Sequence, residues 1–290
     1  MLTVLLLILV NYNVENLLYP TPERDSTWTY TRYYRKEENI ARVLTNIGEW
    51  DGVDIVGLQE VENAAVVKRL CYTLRHNEYD FVHYDSPDPR GIDVALIYKK
   101  ARIDTLLTRA IRIQKSVFSD QHSEFRTRDI LYVSARIDKR DTLHLFVCHL
   151  PSQRGGKAES EWKRNAVKEV LQTAVDSVFM LHPKANIIVM GDMNDDVILI
   201  KGLRDKKMKG LKGERVNGTH KYQGRWTFLD HFYVSPSIDS ISQAEVYDAE
   251  WIQEPDEKQL GLRPKRTFNG FHYQNGYSDH LPIQLILNMR

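Results

Sequence analysis

Six times along this chain, a stretch that reads as a strand ends in an acid, an amide or an imidazole. Val4–Tyr12 leads into Asn13-Val14-Glu15, and Asp54–Gln59 into Glu60. Leu143–Leu150 carries His149 at its end, and Asn186–Met190 runs into Gly191-Asp192-Met193-Asn194. Thr227-Phe228-Leu229 precedes Asp230-His231, and Tyr277-Ser278 precedes Asp279-His280. Taken singly, Asp, Asn and Gly are ordinary turn residues. Six such endings constrain the fold more sharply. In a layered sheet protein the strand ends lie near one another and form the crevice where ligands bind. The expectation is one rim crowded with carboxylates, amides and imidazoles.

The stretches between these endings show how the rim is assembled. Helical spacing of apolar residues predicts helices over Arg32–Glu49, Ala64–His76 and Lys157–Leu181; the last carries Ala166, Val167, Val170, Leu171, Ala174, Val175 and Val178. Further strands are expected at Tyr79–Tyr84, Asp93–Lys99, Ile130–Ile137, Thr227–Val234 and Ile283–Leu287. The helix between the first two strands has the length of a parallel crossover. Ile92–Tyr98 and Ile103–Ile113 follow one another closely, as do Ile130–Ile137 and Leu143–Leu150, so both pairs read as antiparallel hairpins. Mixed sheets with helices outside them indicate a layered α/β sandwich. No Pro/Gly-rich linker or internal repeat interrupts the chain, which reads as a single domain over residues 1–290.

A formal charge of +1 gives no global attraction to a polyanion, so any such contact must be local. The basic segment Lys201–Arg215 reads either as a solvated loop or as a contact surface for a polyanionic substrate. The two cysteines, Cys71 and Cys148, lie in apolar surroundings and are expected to be buried thiols. Thr3–Val10 is too short to span a bilayer, has no Lys or Arg before it and has no small-residue cleavage site after it. It reads as a buried first strand. A cytoplasmic location is favoured on that reading, with export as the alternative.

In their order along the chain, the motifs resemble the endonuclease/exonuclease/phosphatase superfamily, most closely bacterial members that carry only this domain. The resemblance rests on Tyr12-Asn13-Val14-Glu15-Asn16, Gln59-Glu60-Val61-Glu62-Asn63, Arg90-Gly91-Ile92-Asp93, His149-Leu150-Pro151-Ser152, Gly191-Asp192-Met193-Asn194, Leu229-Asp230-His231 and Ser278-Asp279-His280. It implies a four-layer sandwich of two mixed β-sheets packed together and flanked by helices. It also implies a phosphoesterase using Mg²⁺ or Mn²⁺, hard cations that take oxygen ligands. Glu60 then matches the metal-binding carboxylate, with Asn13, Glu15 and Asp279 beside it. His280 matches the catalytic histidine and Asp230 the carboxylate that orients it. Asp192 matches the acid that positions the attacking water, Asn194 an amide on a phosphoryl oxygen, and His149 a second histidine at the phosphate.

Two basic residues are candidates for substrate contact. Arg154 lies in the Gly-bearing loop His149–Lys157 that opens a helix, and Arg90 precedes a strand whose Asp93 is placed to orient His149. The implied partner is a phosphate ester, with nucleic acid first and small phosphorylated metabolites, inositol phosphates or phospholipid headgroups as the alternative. A non-catalytic binding module is the remaining class, and the complete set of acids and histidines speaks against it. The other histidines, His220 among them, read as surface or hydrogen-bonded residues.

Overall fold

The computed structural model describes residues 5–24, 27–75, 77–113, 125–195, 208–211, 217–239 and 242–289. The chain runs through β1 (Leu5–Leu17), α1 (Tyr30–Gly48), β2 (Ile55–Val61), α2 (Ala64–Leu74), β3 (Tyr79–His83) and β4 (Asp93–Lys99). It continues with β5 (Ile103–Ile111), β6 (Ile130–Ile137), β7 (Asp141–His149), α3 (Lys157–Leu181), β8 (Asn186–Asp192) and β9 (Lys209–Leu211). A small hairpin, β10 (His220–Tyr222) with β11 (Arg225–Thr227), precedes β12 (Asp230–Val234) and β13 (Ser242–Val246). Two more hairpins follow, β14 (Gln253–Pro255) with β15 (Leu262–Pro264) and β16 (Phe268–Asn269) with β17 (His272–Tyr273), before β18 (Ile283–Met289). The ends of the main helices have physical causes. Thr29 caps α1 by accepting from the Arg32 amide, and Asn63 caps α2 by accepting from Ala65 and Val66.

Twelve of the strands form two six-stranded sheets, ordered β13-β18-β1-β2-β4-β3 and β5-β6-β7-β8-β12-β9. Each sheet has one parallel pair at its centre, β1 with β2 and β7 with β8, and antiparallel neighbours elsewhere. The core between the sheets holds Leu7, Leu9, Ile55, Val133, Leu145, Val147, Met190 and Phe232. A second core joins the first sheet to α1 and α2, and a third joins the other sheet to α3. The four-layer α/β sandwich with two mixed sheets is therefore what the molecule forms.

Side chains on a strand alternate between faces with period two, and here that period builds the site. Leu7 and Leu9 face the other sheet, and two and four residues on, so do Asn11 and Asn13. The same face of β7 passes from Leu145 and Val147 to His149, and that of β8 from Ile188 and Met190 to Asp192. On β12 it begins at Asp230 and continues with Phe232 and Val234. The inter-sheet core is thus oily at one end and polar at the other. Gly191 permits the close approach of β7 and β8, because a Cβ there would lie 2.1 Å from the Cys148 carbonyl oxygen.

Three expectations need correction. Ile92–Tyr98 and Ile103–Ile113 do not form a hairpin: β4 lies between β2 and β3, while β5 pairs with β6 in the opposite sheet. The turn between them carries the chain from one sheet to the other, pinned by Arg102 on Asp54 at 2.9 Å and on Asp138 at 2.7 Å. Thr227–Val234 is not one strand but two, broken where the Thr219 hydroxyl accepts from the Leu229 and Asp230 amides. Part of the basic segment is an edge strand, Lys209–Leu211 on β12; apart from 208–211, Lys201–Arg215 lies outside the described residues. The hairpin of Ile130–Ile137 with the next strand forms as expected, and both cysteines are buried thiols.

Candidate active site

Asp192 occupies the centre of the polar rim. Its Oδ2 accepts from the Asn13 amide at 3.0 Å and lies 3.6 Å from His149 Nε2 and 3.9 Å from His280 Nε2. Its Oδ1 accepts from the Asn194 backbone amide at 2.8 Å. Strands β1, β7 and β8, from two sheets, and the loop before β18 meet at this one carboxylate. Burial raises the Asp192 acid to about 7, with Asp230 adding to the effect and His280 opposing it.

His280 is paired with Asp230, Nδ1 to Oδ2, at 2.8 Å. Burial alone would depress this imidazole, but the charge and hydrogen bond of Asp230, with Asp192 and Asp279 behind it, outweigh burial and raise it to about 10. Asp230 is itself held from behind. The Asn11 amide donates to it at 3.4 Å, and Gln59 donates to Asn11 at 2.8 Å, a buried chain across both sheets. Ser278 fixes the approach to His280, donating to the Asn13 carbonyl and accepting from the His280 amide.

The two histidines therefore differ in charge. Burial drives His149 well below its ordinary value, reinforced by Arg128, Arg90 and His280, so it is neutral while His280 is an imidazolium. His149 Nδ1 is buried with no partner among the described residues. The expected pairing of Asp93 with His149 does not occur. Asp93 accepts from His83 at 3.1 Å and from Ser86, because the bulge at the end of β2 separates it from the rim.

Glu60 reaches the site because it breaks the alternation. The register shifts between Gln59 and Val61, and Glu60 has φ 65°, so its carboxylate turns to within 4.0 Å of His149 Nε2. It accepts from the Asn16 amide at 3.0 Å and from Arg90 at 3.2 Å. Arg90 is thus brought into the site, while Arg154 stands exposed on the loop before α3. Glu15 and Asp279 lie on the other side, bridged by Arg266 at 3.3 Å and 2.7 Å. Glu15 also accepts from the Thr267 amide at 2.7 Å and sits 3.8 Å from the fully buried Lys36 ammonium. Asp279 is held below the usual carboxylate range: burial would raise it, but His280 and Arg266 prevail.

The donor set suits a hard dication. Glu60, Glu15, Asp192, Asp279 and the Asn13 amide are oxygen donors, and two guanidinium groups already sit on three of the carboxylates. Among the described residues, the ligand atoms of His220, Asp279 and His280 also lie within 4.8 Å of one another. An imidazolium does not bind a cation, so the oxygen-rich side by Glu60 is the better seat.

Several residues of the site escaped the sequence reading. His220 is not a surface histidine: its ring stands 4.9 Å from that of His280, where burial and that neighbouring charge lower it to about 4. Lys36 had a readable signal, a lysine within the apolar stripe of α1 beside Tyr33 and Ile40. Arg266, Asn11 and Arg128, which holds the His149 and Leu150 carbonyls, had none.

Comparison with known proteins bears on the family and the fold. The model of the Endonuclease/Exonuclease/phosphatase family matches residues 10–289. No curated protein matches the chain. Among solved structures, the chain is similar to the Bacteroides thetaiotaomicron mannosyl-6-phosphatase Bt3783, with 17% identity, TM-score 0.63, 96% of this chain and 98% of that one covered. It is similar to the human Nocturnin catalytic domain with bound sulfate anion, with 17% identity, TM-score 0.59, and 97% and 93% covered. It is also similar to D. rerio TDP2 complexed with single strand DNA product, with 16% identity, TM-score 0.58, and 98% and 99% covered.

Proposed function

Because the chain belongs to the endonuclease/exonuclease/phosphatase family of phosphoester hydrolases, we propose that it hydrolyses phosphodiester bonds by direct attack of water, with Mg²⁺ or Mn²⁺ as cofactor. The observation that carries this reading is the single carboxylate, Asp192, within 4 Å of one neutral and one charged imidazole. Glu60 and Asn13 would hold the ion, with Asp279 and Glu15 as the facing acids on the side bridged by Arg266. A dication held there would supply positive charge to offset the charge that develops on the phosphoryl oxygens.

The chain's own residues do the rest. Asp192, raised to about 7, is suited to orient a water and take its proton as the new P–O bond forms. The His280 imidazolium, locked by Asp230, faces the charge that develops as the leaving oxygen departs. His149 is held neutral, which suits contact with a phosphoryl oxygen better than donation of a proton to the leaving group. Asn194 donates to the Leu150 carbonyl, which fixes its amide for a phosphoryl oxygen as well. Arg90 at Glu60, and Arg154 from its exposed loop, are the side chains to meet further substrate phosphates.

Nucleic acid is the first substrate we propose. A small phosphorylated metabolite is the second reading, favoured by the net charge of +1. Turnover of plasmid, abasic and single-stranded DNA and of small mono- and diesters, each with Mg²⁺ or Mn²⁺ across a salt series, separates them. A nuclease loses activity steeply as salt rises. Hydrolysis confined to small esters, without that dependence, removes the nuclease assignment.

A further inference from the structure

We propose that β5 is a dimerisation edge, at which two copies of this chain pair antiparallel about a two-fold axis between Leu106 and Leu107. β5 is the terminal strand of its sheet, so one side of its backbone has no strand partner among the described residues. Such an edge is a template for another strand unless it is blunted. This one spans nine residues and contains neither lysine nor proline, and its one bulge and two charged residues fall where an antiparallel copy of the strand would match them. Leu106 and Leu107, at its centre, are 48% and 47% exposed. A cleft of about 960 Å³ of mixed polar and apolar lining lies between β5–β7 and α3 and reaches Leu181, which with Met180 is among the most exposed apolar side chains of the described residues, at 76% and 82%.

The pattern of side chains indicates a second copy of this chain as the occupant. When two identical antiparallel strands meet at a two-fold axis, residue i faces residue j of the other copy and j faces i. Paired residues must then lie on the same face of the sheet. In an unbroken strand that requires an even separation. β5 is broken: Thr105 pairs with Ala135 on β6 and Leu107 with Ser134, leaving Leu106 as an extra residue. Asp104 consequently faces Arg136, and Arg109 faces Tyr132, four residues apart on an unbroken strand and so on one face. Thr105 and Thr108 share the other face, opposite Ala135 and Val133.

The two-fold axis therefore sets Asp104 against the partner's Arg109 twice, and Thr105 against the partner's Thr108 twice. Both are stabilising cross-strand combinations. No like charges meet in this register. Were Leu106 an ordinary strand residue and not a bulge, the odd separation of five would turn Asp104 and Arg109 to opposite faces and the pairing would fail.

Light scattering coupled to size exclusion, on the full chain across the micromolar range, tests this directly. The wild type is expected at twice its 33.9 kDa chain mass. Asp104→Arg and Arg109→Asp, each setting like charges face to face, are expected at the chain mass with unchanged circular dichroism. The double variant carrying both substitutions is expected to regain the dimer. A wild type at the chain mass throughout, single variants that stay dimeric, or a double variant that stays monomeric would each overturn the proposal. If one single variant fails to fold, the other and the double variant still decide it.

Discussion

At Asp192, stability and chemistry oppose one another. Its pKa in the folded chain, about 7, lies above the ordinary carboxylate value. The stability it contributes is therefore complete below that ordinary value and lost as pH rises towards 7. Above pH 7 the buried charge is a burden unless a dication sits beside it. Asp192→Asn should accordingly melt higher than the wild type in chelator at pH 8, by about 1–2 kcal/mol. It should lose turnover by roughly 10²–10⁴-fold. Added Mg²⁺ should narrow or reverse the difference in melting. Differential scanning calorimetry with and without the ion reads both melting comparisons, and a phosphodiester assay reads the turnover. Lys36 makes the opposite case. Its ammonium is fully buried near Glu15 and donates to Thr267 and the Tyr277 carbonyl. Lys36→Met leaves the Glu15 carboxylate short of a cation, and breaking a buried pair costs about 3–5 kcal/mol. Urea unfolding should show a lower midpoint with an unchanged slope.

At the level of elements, the two-residue period of the strands explains both what the sequence discloses and what it hides. Asn13, His149, Asp192 and Asp230 lie on the faces that bury Leu9, Val147, Met190 and Phe232, so strand ends were a sound guide to the rim. Helix α3 was legible to the residue because seven apolar positions repeat at helical spacing. Alternation says nothing about which sheet a strand joins, and so the hairpin of β4 with β5 was misread. Arg266 and His220 were hidden for another reason: they arrive from a stretch of short hairpins with little periodicity, where folding alone brings them to Asp279 and His280. Gly191 tests the packing of the two central strands. Gly191→Ala drives a Cβ into the Cys148 carbonyl and must separate β7 from β8, which hold His149 and Asp192 3.6 Å apart. A loss of about 1–3 kcal/mol, together with a fall in turnover, is expected. Normal turnover in a destabilised variant would show that this spacing is not critical.

Across the whole molecule, two sheets of six strands each contribute one half of the site. The first brings Asn13 and Glu60, and the second His149, Asp192 and Asp230; His280 closes the rim from the loop before β18. Neither sheet holds a complete set, so the chemistry depends on the apolar core that keeps the two together. Among the described residues no helix is long and apolar enough to cross a membrane. With a near-zero net charge, we propose that substrate recognition rests on local groups such as Arg90. The central proposal is ion-dependent hydrolysis at Asp192. The most direct test is the rate of hydrolysis of a phosphodiester by the wild type in Mg²⁺ or Mn²⁺, repeated after chelation and with Asp192→Asn. Hydrolysis that stops on chelation, returns with added ion and is lost in the variant is the predicted result. Hydrolysis indifferent to chelator, or undiminished in Asp192→Asn, would contradict it.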